Sequence, residues 1–447
     1  YTGLTRRLSI ITGGPGTGKT HVAGRLLTLG IYLGTINPVR VSLVAPTGKA
    51  AARLKEQIKN AFTEAARGKL LPESLALNAL PEAQTLHRLL GASSDGARFL
   101  HDENNLLPYD VILVDEASMI DLVMMARLFR ASPENTRIIL LGDPDQLASV
   151  EAGSVLSDIC GITQDLPSSP NYVSAIHAAT GQVLETKNHG DNLRDCVVRL
   201  NISHRVDKDS EYISRLAEHI NAGNPADAIV LMDEPENSYL ARENLPKLHN
   251  LAAHLLPPVR DVYIQASSSE DPQEALKVWE SYRVLTAMRR GPFGAPHLNA
   301  LLERALLDEG SRPNGEWYHG RPIIITRNSY PTRLFNGDLG IAWKKEGRMM
   351  VYFLDARGEL HPIQPSRLPA HESAYALTIH KSQGSEFSRV KVLLPEQITP
   401  VLTRELIYTG ITRAKREVTL TSPLETLTTA IQTKTMRASG LRDRLWH

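Results

Sequence analysis

A glycine-rich loop that ends in lysine and threonine carries the clearest chemistry in this chain of 447 residues. Its sequence is Gly13-Gly14-Pro15-Gly16-Thr17-Gly18-Lys19-Thr20, between a short apolar run and a helical pattern. Glycines let the backbone curl so that its N–H groups point at phosphate oxygens, and the following helix adds its positive N-terminal end. Lys19 is expected to reach the β- and γ-phosphates, with the Thr20 hydroxyl holding Mg²⁺. The loop therefore predicts a nucleoside triphosphate site.

Polar residues follow two of the apolar strand candidates. Asp115 and Glu116 end the run that starts at Val111, and Gln146 follows the run that ends at Gly142. Asp115 is expected in the Mg²⁺ shell, Glu116 is placed to orient or deprotonate the attacking water, and Gln146 suits sensing of the γ-phosphate or that water. Taken alone, the acidic pair also fits a solvated strand end, and Gln146 also fits a rigid turn. The upstream loop favours the catalytic interpretation.

Composition sets limits on the class of protein. The formal net charge is +1, so a basic surface for nucleic acid must be local. The only cysteines are Cys160 and Cys196, which excludes a cysteine-rich metal cluster or a disulfide framework and favours a reducing cytosol. No apolar run approaches the roughly 20 residues of a membrane span, and no signal segment opens the chain. At roughly 100–200 residues per domain, the length predicts two to four domains.

The first 160 residues alternate strand and helix patterns. The strand candidates are apolar runs without alternation, as in a parallel sheet that is covered on both faces: Leu8–Thr12, Val39–Ala45, Val111–Asp115 and Arg137–Gly142. The helical patterns between them are Lys19–Leu29, Gly48–Ala66, Thr85–Leu90 and Asp121–Arg130. Thr85 and Asp121 are expected N-caps. This alternation predicts a doubly wound α/β domain at 1–160.

The remainder predicts a second α/β domain with an insertion. Residues 161–200 read as loop-rich, and 225–278 show no clear period beyond helix fragments. Helices are expected at Ser210–Asn221, His297–Leu307 and Thr403–Ile411, and strands at Tyr282–Ala287, Tyr375–Ile379, Val390–Leu394 and Val418–Leu420. Short β-rich runs separated by Asn336-Gly337-Asp338, Glu346-Gly347 and Arg357-Gly358 predict a small antiparallel barrel. We expect the second domain to occupy 161–317 and 371–447, with the barrel at 318–370.

Taken together, ordered motifs along nearly the whole chain resemble the superfamily 1 helicases, and within them the RecD family, the helicase subunits of RecBCD (exonuclease V). The distal motifs include Ser203-His204-Arg205, the segment Thr378–Phe387 and Tyr408–Ala414. The proximal motifs are the glycine-rich loop, Ala45–Ala51, Thr85–Gly91, Asp115–Met119 and Gly142–Leu147. Leu147–Gly153, Gly291–Gly294 and Phe335–Asp338 support the RecD likeness. Each motif alone is a weak signal, but the ordered set is specific.

The resemblance implies two RecA-like P-loop domains that bind ATP and Mg²⁺ between them. Arg205 and Arg413 match the positions of the arginine fingers, whose fixed donors suit the charge on the γ-phosphate in the transition state. Glu386 is implied to contact the nucleotide from the same side. An isolated arginine is more often part of a surface ion pair, so only its position within a motif supports the catalytic role.

Contacts with DNA are implied for loops that line the single-strand channel in the family. The residues are Thr47, Lys49, His87, His380 and Ser382, whose side chains suit phosphate and sugar contacts. Thr47 also fits a helix cap, Lys49 a solvated lysine, and the two histidines packing positions. A short hairpin near 97–109, whose two arms flank the turn Asp102–Asn105, is a candidate for strand separation, with Phe99 splitting the duplex, although a plain surface hairpin is the alternative.

The function that the resemblance implies is ATP-driven 5′→3′ DNA translocation and helicase activity, as the motor subunit of a RecBCD-type complex that unwinds DNA ends for recombinational repair. Its partners would be single-stranded and duplex-end DNA and RecB-like and RecC-like subunits, with the nuclease in a partner, in the cytoplasm of a bacterium and associated with the nucleoid. An N-terminal portion is expected to be missing. The alternatives are a stand-alone RecD-like helicase, a P-loop ATPase switch without unwinding activity, and a structural subunit without a motor.

Overall fold

The computed structural model describes most of the chain and divides it into two compact units. The description leaves out residues 69, 71, 73–81, 94–97, 149–154, 161–167, 185–192, 203–207, 236, 309–316, 330, 356–357, 436–439 and 447. The first unit comprises Tyr1–His204 and Met436–His447, and the second comprises Arg205–Thr435. The domain boundaries given above remain predictions.

A six-stranded parallel sheet forms the centre of the first unit. Its strands are β1 (Leu8–Thr12), β2 (Val41–Ala45), β3 (Ala83–Thr85), β4 (Val111–Val114), β5 (Arg137–Gly142) and β6 (Val197–Arg199). Their order across the sheet is β3-β2-β4-β5-β1-β6. The helices are α1 (Thr2–Thr5), α2 (Lys19–Tyr32), α3 (Gly48–Arg67), α4 (Leu86–Leu89), α5 (Leu122–Ala131), α6 (Val155–Cys160) and α7 (Pro170–Thr180). The doubly wound α/β prediction is confirmed.

Both faces of this sheet are buried, which explains its unbroken apolar strands. Ile10 and Ile112 belong to one apolar cluster, whereas their sequence neighbours Ile11 and Leu113 belong to another. Successive side chains of a strand point to opposite faces, so the two clusters cover the two sides. Because all strands of the sheet are parallel, their carboxyl ends lie at one edge. The glycine-rich loop and the acidic pair follow β1 and β4 at that edge.

The second unit contains a five-stranded parallel sheet. Its strands are β7 (Leu240–Glu243), β8 (Tyr282–Thr286), β14 (Ala376–Thr378), β15 (Phe387–Leu393) and β16 (Ala414–Thr421), in the order β14-β8-β15-β16-β7. The helices of the unit are α8 (Lys208–Ala222), α9 (Pro225–Met232), α10 (Leu251–Ser267), α11 (Pro272–Trp279), α12 (Ala295–Asp308), α13 (Arg404–Ile411) and α14 (Leu424–Gln432). One further helix, α15 (Leu441–Trp446), belongs to the first unit, where the Trp446 indole N–H donates to the Asp158 carbonyl at 3.1 Å.

An antiparallel sheet is inserted between β8 and β14, where the sequence predicts a barrel. Its strands are β9 (Pro322–Ile325), β10 (Leu339–Lys345), β11 (Arg348–Leu354), β12 (Leu360–Ile363) and β13 (His371–Ser373), in the order β12-β11-β10-β9-β13. Glu346 and Gly347 both have positive φ, as the tight turn between β10 and β11 requires. The antiparallel strands are confirmed, and their closure into a barrel remains a prediction.

The two longest segments that differ from the sequence-based expectation are 161–200 and 225–278, and the first of them also contains β6. The loop-rich interval 161–200 contains α7, which Ser169 caps by accepting from the Tyr172 N–H at 3.3 Å and in which Pro170 occupies the first turn. The interval 225–278 contains three helices and β7, although it shows no clear period. Pro257 and Pro258 lie inside α10. Because proline usually ends a helix, the sequence does not predict a continuous helix there.

Candidate nucleotide site

The loop between β1 and α2 requires glycine at several positions for conformation and for space. Gly16 and Gly18 have φ angles of 79° and 81°, in the left-handed region that side chains disfavour. A Cβ on Gly13 would lie 2.6 Å from the carbonyl oxygen of Leu200, which follows β6. Residues with side chains at these positions would therefore open the loop, and its amide groups would lose the curvature that suits a phosphate.

Lys19 lies across this loop at the start of α2. Its ammonium donates to the carbonyl oxygens of Gly13 and Gly14 at 2.7 and 3.1 Å. The Thr17 hydroxyl also donates to the Gly14 carbonyl, at 2.9 Å. The two bonds from Lys19 place its ammonium group at the loop, where the phosphates of a nucleotide would bind.

Thr20 lies in the first turn of α2 and Asp115 directly follows β4, and the two meet at the same edge of the sheet. The Thr20 hydroxyl donates to a carboxylate oxygen of Asp115 at 3.4 Å. The other Asp115 oxygen accepts from the Glu116 N–H at 2.9 Å. Glu116 itself has a φ of 51°, a left-handed conformation uncommon outside glycine and asparagine. This backbone conformation turns the chain directly after β4.

The environment of Asp115 fits a divalent cation. Burial and the charge of Glu116 raise the pKa of Asp115 to about 6, against the lowering contributions of the Glu116 N–H, Lys19 and Arg53. A carboxylate that is costly to ionise gains most from a nearby cation. The hydroxyl and carboxylate oxygens are also the donors that Mg²⁺ prefers. The residues present therefore fit the predicted metal.

Gln146 is buried and held by Asp143 in the turn after β5. Its amide nitrogen donates to a carboxylate oxygen of Asp143 at 3.0 Å, and the other oxygen of Asp143 accepts from the Asp145 N–H at 3.1 Å. Because a carboxylate only accepts, the Gln146 amide must present its NH₂ group to Asp143. Its carbonyl oxygen is consequently directed away from that carboxylate, an orientation suited to accepting a hydrogen bond from water.

Two residues near this site have roles that the sequence reasoning missed. The motif Gly142–Leu147 predicts a turn without a role for Asp143, although the position of Asp143 three residues before Gln146 is a signal for a local side-chain contact. Arg53 on α3 lies close enough to lower the pKa of Asp115. No motif marks Arg53, because its proximity arises from the way α3 crosses the sheet.

The predicted DNA-contact residues of the first unit occupy varied positions. Thr47 caps α3, accepting from the Ala50 N–H at 3.3 Å, and Lys49 follows in its first turn. His87 is exposed on α4, and its ring centroid lies 6.4 Å from that of Phe99. Phe99 is partly buried against the apolar cluster that contains Ile112, and the Arg127 guanidinium lies 4.4 Å from its ring centroid. The cap is confirmed, and the DNA contacts remain predictions.

The hairpin expected around Phe99 is present in a modified form. Phe99 forms an antiparallel bridge with Ala92, and Asp102 forms one with Asn105. The Asp102 side chain accepts from the Asn104 and Asn105 N–H groups, at 2.8 and 3.1 Å, which fixes the turn. The tip is thus a short, well-defined turn.

The distal residues lie in the second unit, around β14, β15 and α13. His380 begins a short 3-10 helix, and Ser382 is fully buried, with its hydroxyl donating to the Ile379 carbonyl at 2.7 Å. Of the predicted DNA contacts, Ser382 has the position that least favours a direct contact. Arg413 is also buried, and its guanidinium donates to the carbonyls of Thr409 and Ser385 at 3.1 and 3.5 Å, beside Glu386. Arg205 lies outside the described residues.

Comparison with known families assigns both units to a class of protein. A family model described as an AAA domain matches residues 2–152, which include the glycine-rich loop. A model described as a UvrD-like helicase C-terminal domain matches residues 373–421, which include His380 and Arg413. Together with the two parallel sheets, these matches define an ATP-hydrolysing helicase of superfamily 1.

Whole-chain comparisons name the family. The RecBCD enzyme subunit RecD of Haemophilus influenzae is 39% identical over 463 residues, covering 98% of this chain and 70% of the relative. The ATP-dependent RecD2 DNA helicase of Deinococcus radiodurans is 30% identical over 413 residues, covering 92% of this chain and 46% of the relative. The chain belongs to the RecD family.

A solved structure supports the fold. The crystal structure of the Pif1 helicase from Bacteroides in complex with ADP-AlF3 and ssDNA matches 99% of this chain and 94% of its own, at a TM-score of 0.50 and 14% identity. Among the residues that the structure describes, none of the helices combines the length and apolar character needed to cross a bilayer.

Proposed function

We propose that this chain is an ATP-driven DNA translocase and helicase that moves 5′→3′ as the motor subunit of a RecBCD-type complex. The observation that carries the proposal is the assembled nucleotide site, in which Lys19, Thr20, Asp115 and Gln146 meet at one edge of the first sheet. Family membership supplies the DNA substrate, the direction and the expected RecB-like and RecC-like partners. Processing of DNA ends during recombinational repair follows from that assignment.

Within the first unit, each residue of the site has a proposed role in ATP hydrolysis. The loop amides and Lys19 bind the phosphates, and Thr20 and Asp115 hold Mg²⁺. When bound, Mg²⁺ would neutralise charge on the phosphate oxygens. Glu116 accepts a proton from the attacking water, and Gln146, aimed by Asp143, orients that water. This arrangement supplies binding, orientation and a base for the transfer of the phosphoryl group to water.

The second unit supplies residues whose roles rest on the motif positions. Arg205 and Arg413 are proposed to stabilise charge on the γ-phosphate, and Glu386 to contact the nucleotide. Contacts with the DNA backbone are proposed for residues of both units: Thr47, Lys49 and His87 in the first, and His380 and Ser382 in the second. Burial of Arg413 supports a preorganised guanidinium, because its bonds to the Thr409 and Ser385 carbonyls fix the position of the group before any nucleotide binds.

The experiment is a steady-state ATPase assay of the chain with and without single-stranded DNA, with Lys19→Gln as the control variant. We expect strong stimulation by DNA that is abolished by Lys19→Gln. A turnover rate in Lys19→Gln equal to that of the wild type would refute the site assignment. Turnover that ignores DNA, both alone and with purified RecB-like and RecC-like partners, would instead favour a P-loop switch.

A stand-alone helicase is the second candidate, favoured by the likeness to RecD2 of Deinococcus radiodurans. Affinity purification of the tagged chain from its own cells distinguishes the two. Co-purification of RecB-like and RecC-like subunits supports the complex. Unwinding by the chain alone, without co-purifying partners, supports the stand-alone enzyme.

A further inference from the structure

The short strand β14 leads into the segment that carries His380, Ser382 and Glu386, and polar side chains from three elements hold its entry. Arg321, just before β9, donates to the Ser373 hydroxyl at 2.9 Å. Arg283, in β8, donates to the Ala374 carbonyl. Asn299, in α12, binds Ala376. We refer to Arg283, Asn299 and Arg321 as the entry clamp.

Arg283 reaches both ends of the segment. Its guanidinium donates to the carbonyl of Ala374 at the start, and it lies 5.0 Å from the ring centroid of Phe387 at the end. A second donation, to the Trp279 carbonyl at 2.9 Å, fixes its orientation. The strand order explains this reach, because β8 lies between β14 and β15.

The setting of Arg283 is costly for a charged group. Its side chain is 1% exposed, and burial lowers its pKa to about 10, so it remains a cation at neutral pH. Main-chain carbonyls and aromatic faces balance the charge, a combination that suits the planar guanidinium and not an ammonium. Loss of either carbonyl partner would leave part of this buried charge uncompensated, which is costly.

Asn299 completes the edge of the sheet. Strand β14 is an edge strand, and Ala376 is the residue where its outer side would be open. The Asn299 amide donates to the Ala376 carbonyl at 2.9 Å and accepts from the Ala376 N–H at 2.7 Å. The side chain thus replaces a neighbouring strand and holds β14 in register.

Arg321 connects the entry to the inserted antiparallel sheet. Its guanidinium pairs with Glu303 of α12 at 3.0 Å, and the Ser373 hydroxyl donates to the same carboxylate at 3.3 Å. The last residue of β13, Ser373, is therefore tied to α12 through the Arg321–Glu303 ion pair, which is largely buried. Movement of the inserted sheet cannot occur at this point without disturbing the entry to β14.

The exit of the segment is tied to Arg413. The Phe387 N–H donates to the Arg413 carbonyl at 2.8 Å, and the Arg413 guanidinium donates to the Ser385 carbonyl. We propose that the residues of the entry clamp are positioning residues. They fix the segment 374–387, which carries His380, Ser382 and Glu386, and thereby set the DNA dependence of ATP turnover. This inference rests on the proposed function for the meaning of that segment.

The test compares Arg283→Lys with Arg242→Lys in the full chain. Arg242→Lys is the control, because Arg242 lies in β7, the edge strand of the same sheet on the side opposite β14. Its guanidinium pairs with Asp233 at 2.8 Å. Lysine keeps the charge but lacks the planar guanidinium, whose two NH₂ groups donate to the Ala374 and Trp279 carbonyls. We expect Arg283→Lys to raise the DNA concentration for half-maximal ATPase stimulation about tenfold, which corresponds to about 1.4 kcal/mol, and Arg242→Lys to leave it unchanged.

Hydrogen–deuterium exchange separates this proposal from the proposed function. Without DNA or nucleotide, amides of 374–387 are expected to exchange faster in Arg283→Lys than in Arg242→Lys. An ATP turnover rate of the wild type that is the same with and without DNA would refute the proposed function. The exchange rates of the amides of 374–387 would still show whether Arg283 fixes this segment. Equal exchange in the two variants, with equal DNA stimulation, would overturn the clamp. If Arg283→Lys does not fold, Asn299→Ala is measured in the same two assays, and unchanged values there overturn the proposal equally.

Discussion

Replacement of Gln146 by glutamate tests the arrangement of the catalytic turn directly. In the wild-type chain, the Gln146 amide nitrogen lies 3.0 Å from a buried carboxylate oxygen of Asp143. Gln146→Glu keeps the size of the side chain but replaces this donor with a second carboxylate. The variant therefore loses a hydrogen bond to a charged group and gains repulsion between like charges.

The magnitude follows from the geometry. Two charges about 4 Å apart repel by about 4 kcal/mol at an effective dielectric constant of about 20. Rotation of the new carboxylate towards water relieves part of this energy. Loss of a hydrogen bond to a charged group costs about 1.5–3 kcal/mol. We therefore expect Gln146→Glu to lower the free energy of unfolding by about 2–4 kcal/mol at pH 8.

The assay is denaturant unfolding at several pH values, together with ATP turnover. Protonation of either carboxyl group removes the repulsion, so the loss of stability is greatest at high pH and decreases as the pH falls towards 5. ATP turnover with DNA should fall by about 100-fold or more, because the amide that we propose to orient the attacking water is lost, while ATP binding by the loop persists. The control is Gln273→Glu, in the first turn of α11, which should change stability by less than about 0.5 kcal/mol. A loss of stability independent of pH, or none, would refute the proposed contact between Gln146 and Asp143.

Three other predictions follow from the described residues. Glu116→Gln should retain ATP binding and lose turnover by about 100-fold or more, and loss of ATP affinity in equilibrium binding would contradict its role as the base. Replacement of residues 99–108 by a short Gly-Ser turn should abolish duplex unwinding and spare DNA-stimulated ATPase, and retained unwinding in a fork assay would exclude strand separation by this hairpin. Although burial alone would raise it, bonds and charges from Lys391, Thr421 and His254 hold the pKa of Glu243 below its ordinary value. Glu243→Gln should therefore reduce stability at pH 7, and the difference from wild type should vanish as the pH falls below about 4 in unfolding titrations.

Local sequence signals were sufficient for the elements that carry the nucleotide site. The bounds of β1 and β5 match the apolar runs at Leu8–Thr12 and Arg137–Gly142. Thr85 and Asp121 cap their helices as expected, accepting from N–H groups three residues on. These strand bounds and helix caps depend on neighbours within a few residues, so the local sequence is enough to predict them. The same holds for the loop that Gly16 and Gly18 shape.

Contacts between distant parts of the chain were beyond such patterns. Lys391 in β15 donates a hydrogen bond to Glu243 in β7, 148 residues away in the sequence. This contact depends on the strand order of the sheet, which no local sequence pattern predicts. β13 was not expected either, because three residues carry too little periodicity, and its place beside β9 is set by tertiary pairing. Helix α10 was obscured by two prolines that its tertiary contacts tolerate.

Arg413 and Arg283 in the second unit differ in the same way, because a motif marks the first and only tertiary contacts mark the second. Arg413 can be found from its motif, yet its bonds to Thr409 and Ser385 show that its position depends on the segment beside it. Arg283 has no motif, yet it holds that segment at both ends. A guanidinium that acts on a phosphate must be placed within fractions of an ångström, and that accuracy comes from surrounding groups that are themselves fixed. If Arg413 is the catalytic cation, substitutions that loosen residues 374–387 must reduce turnover even though they touch neither nucleotide nor DNA.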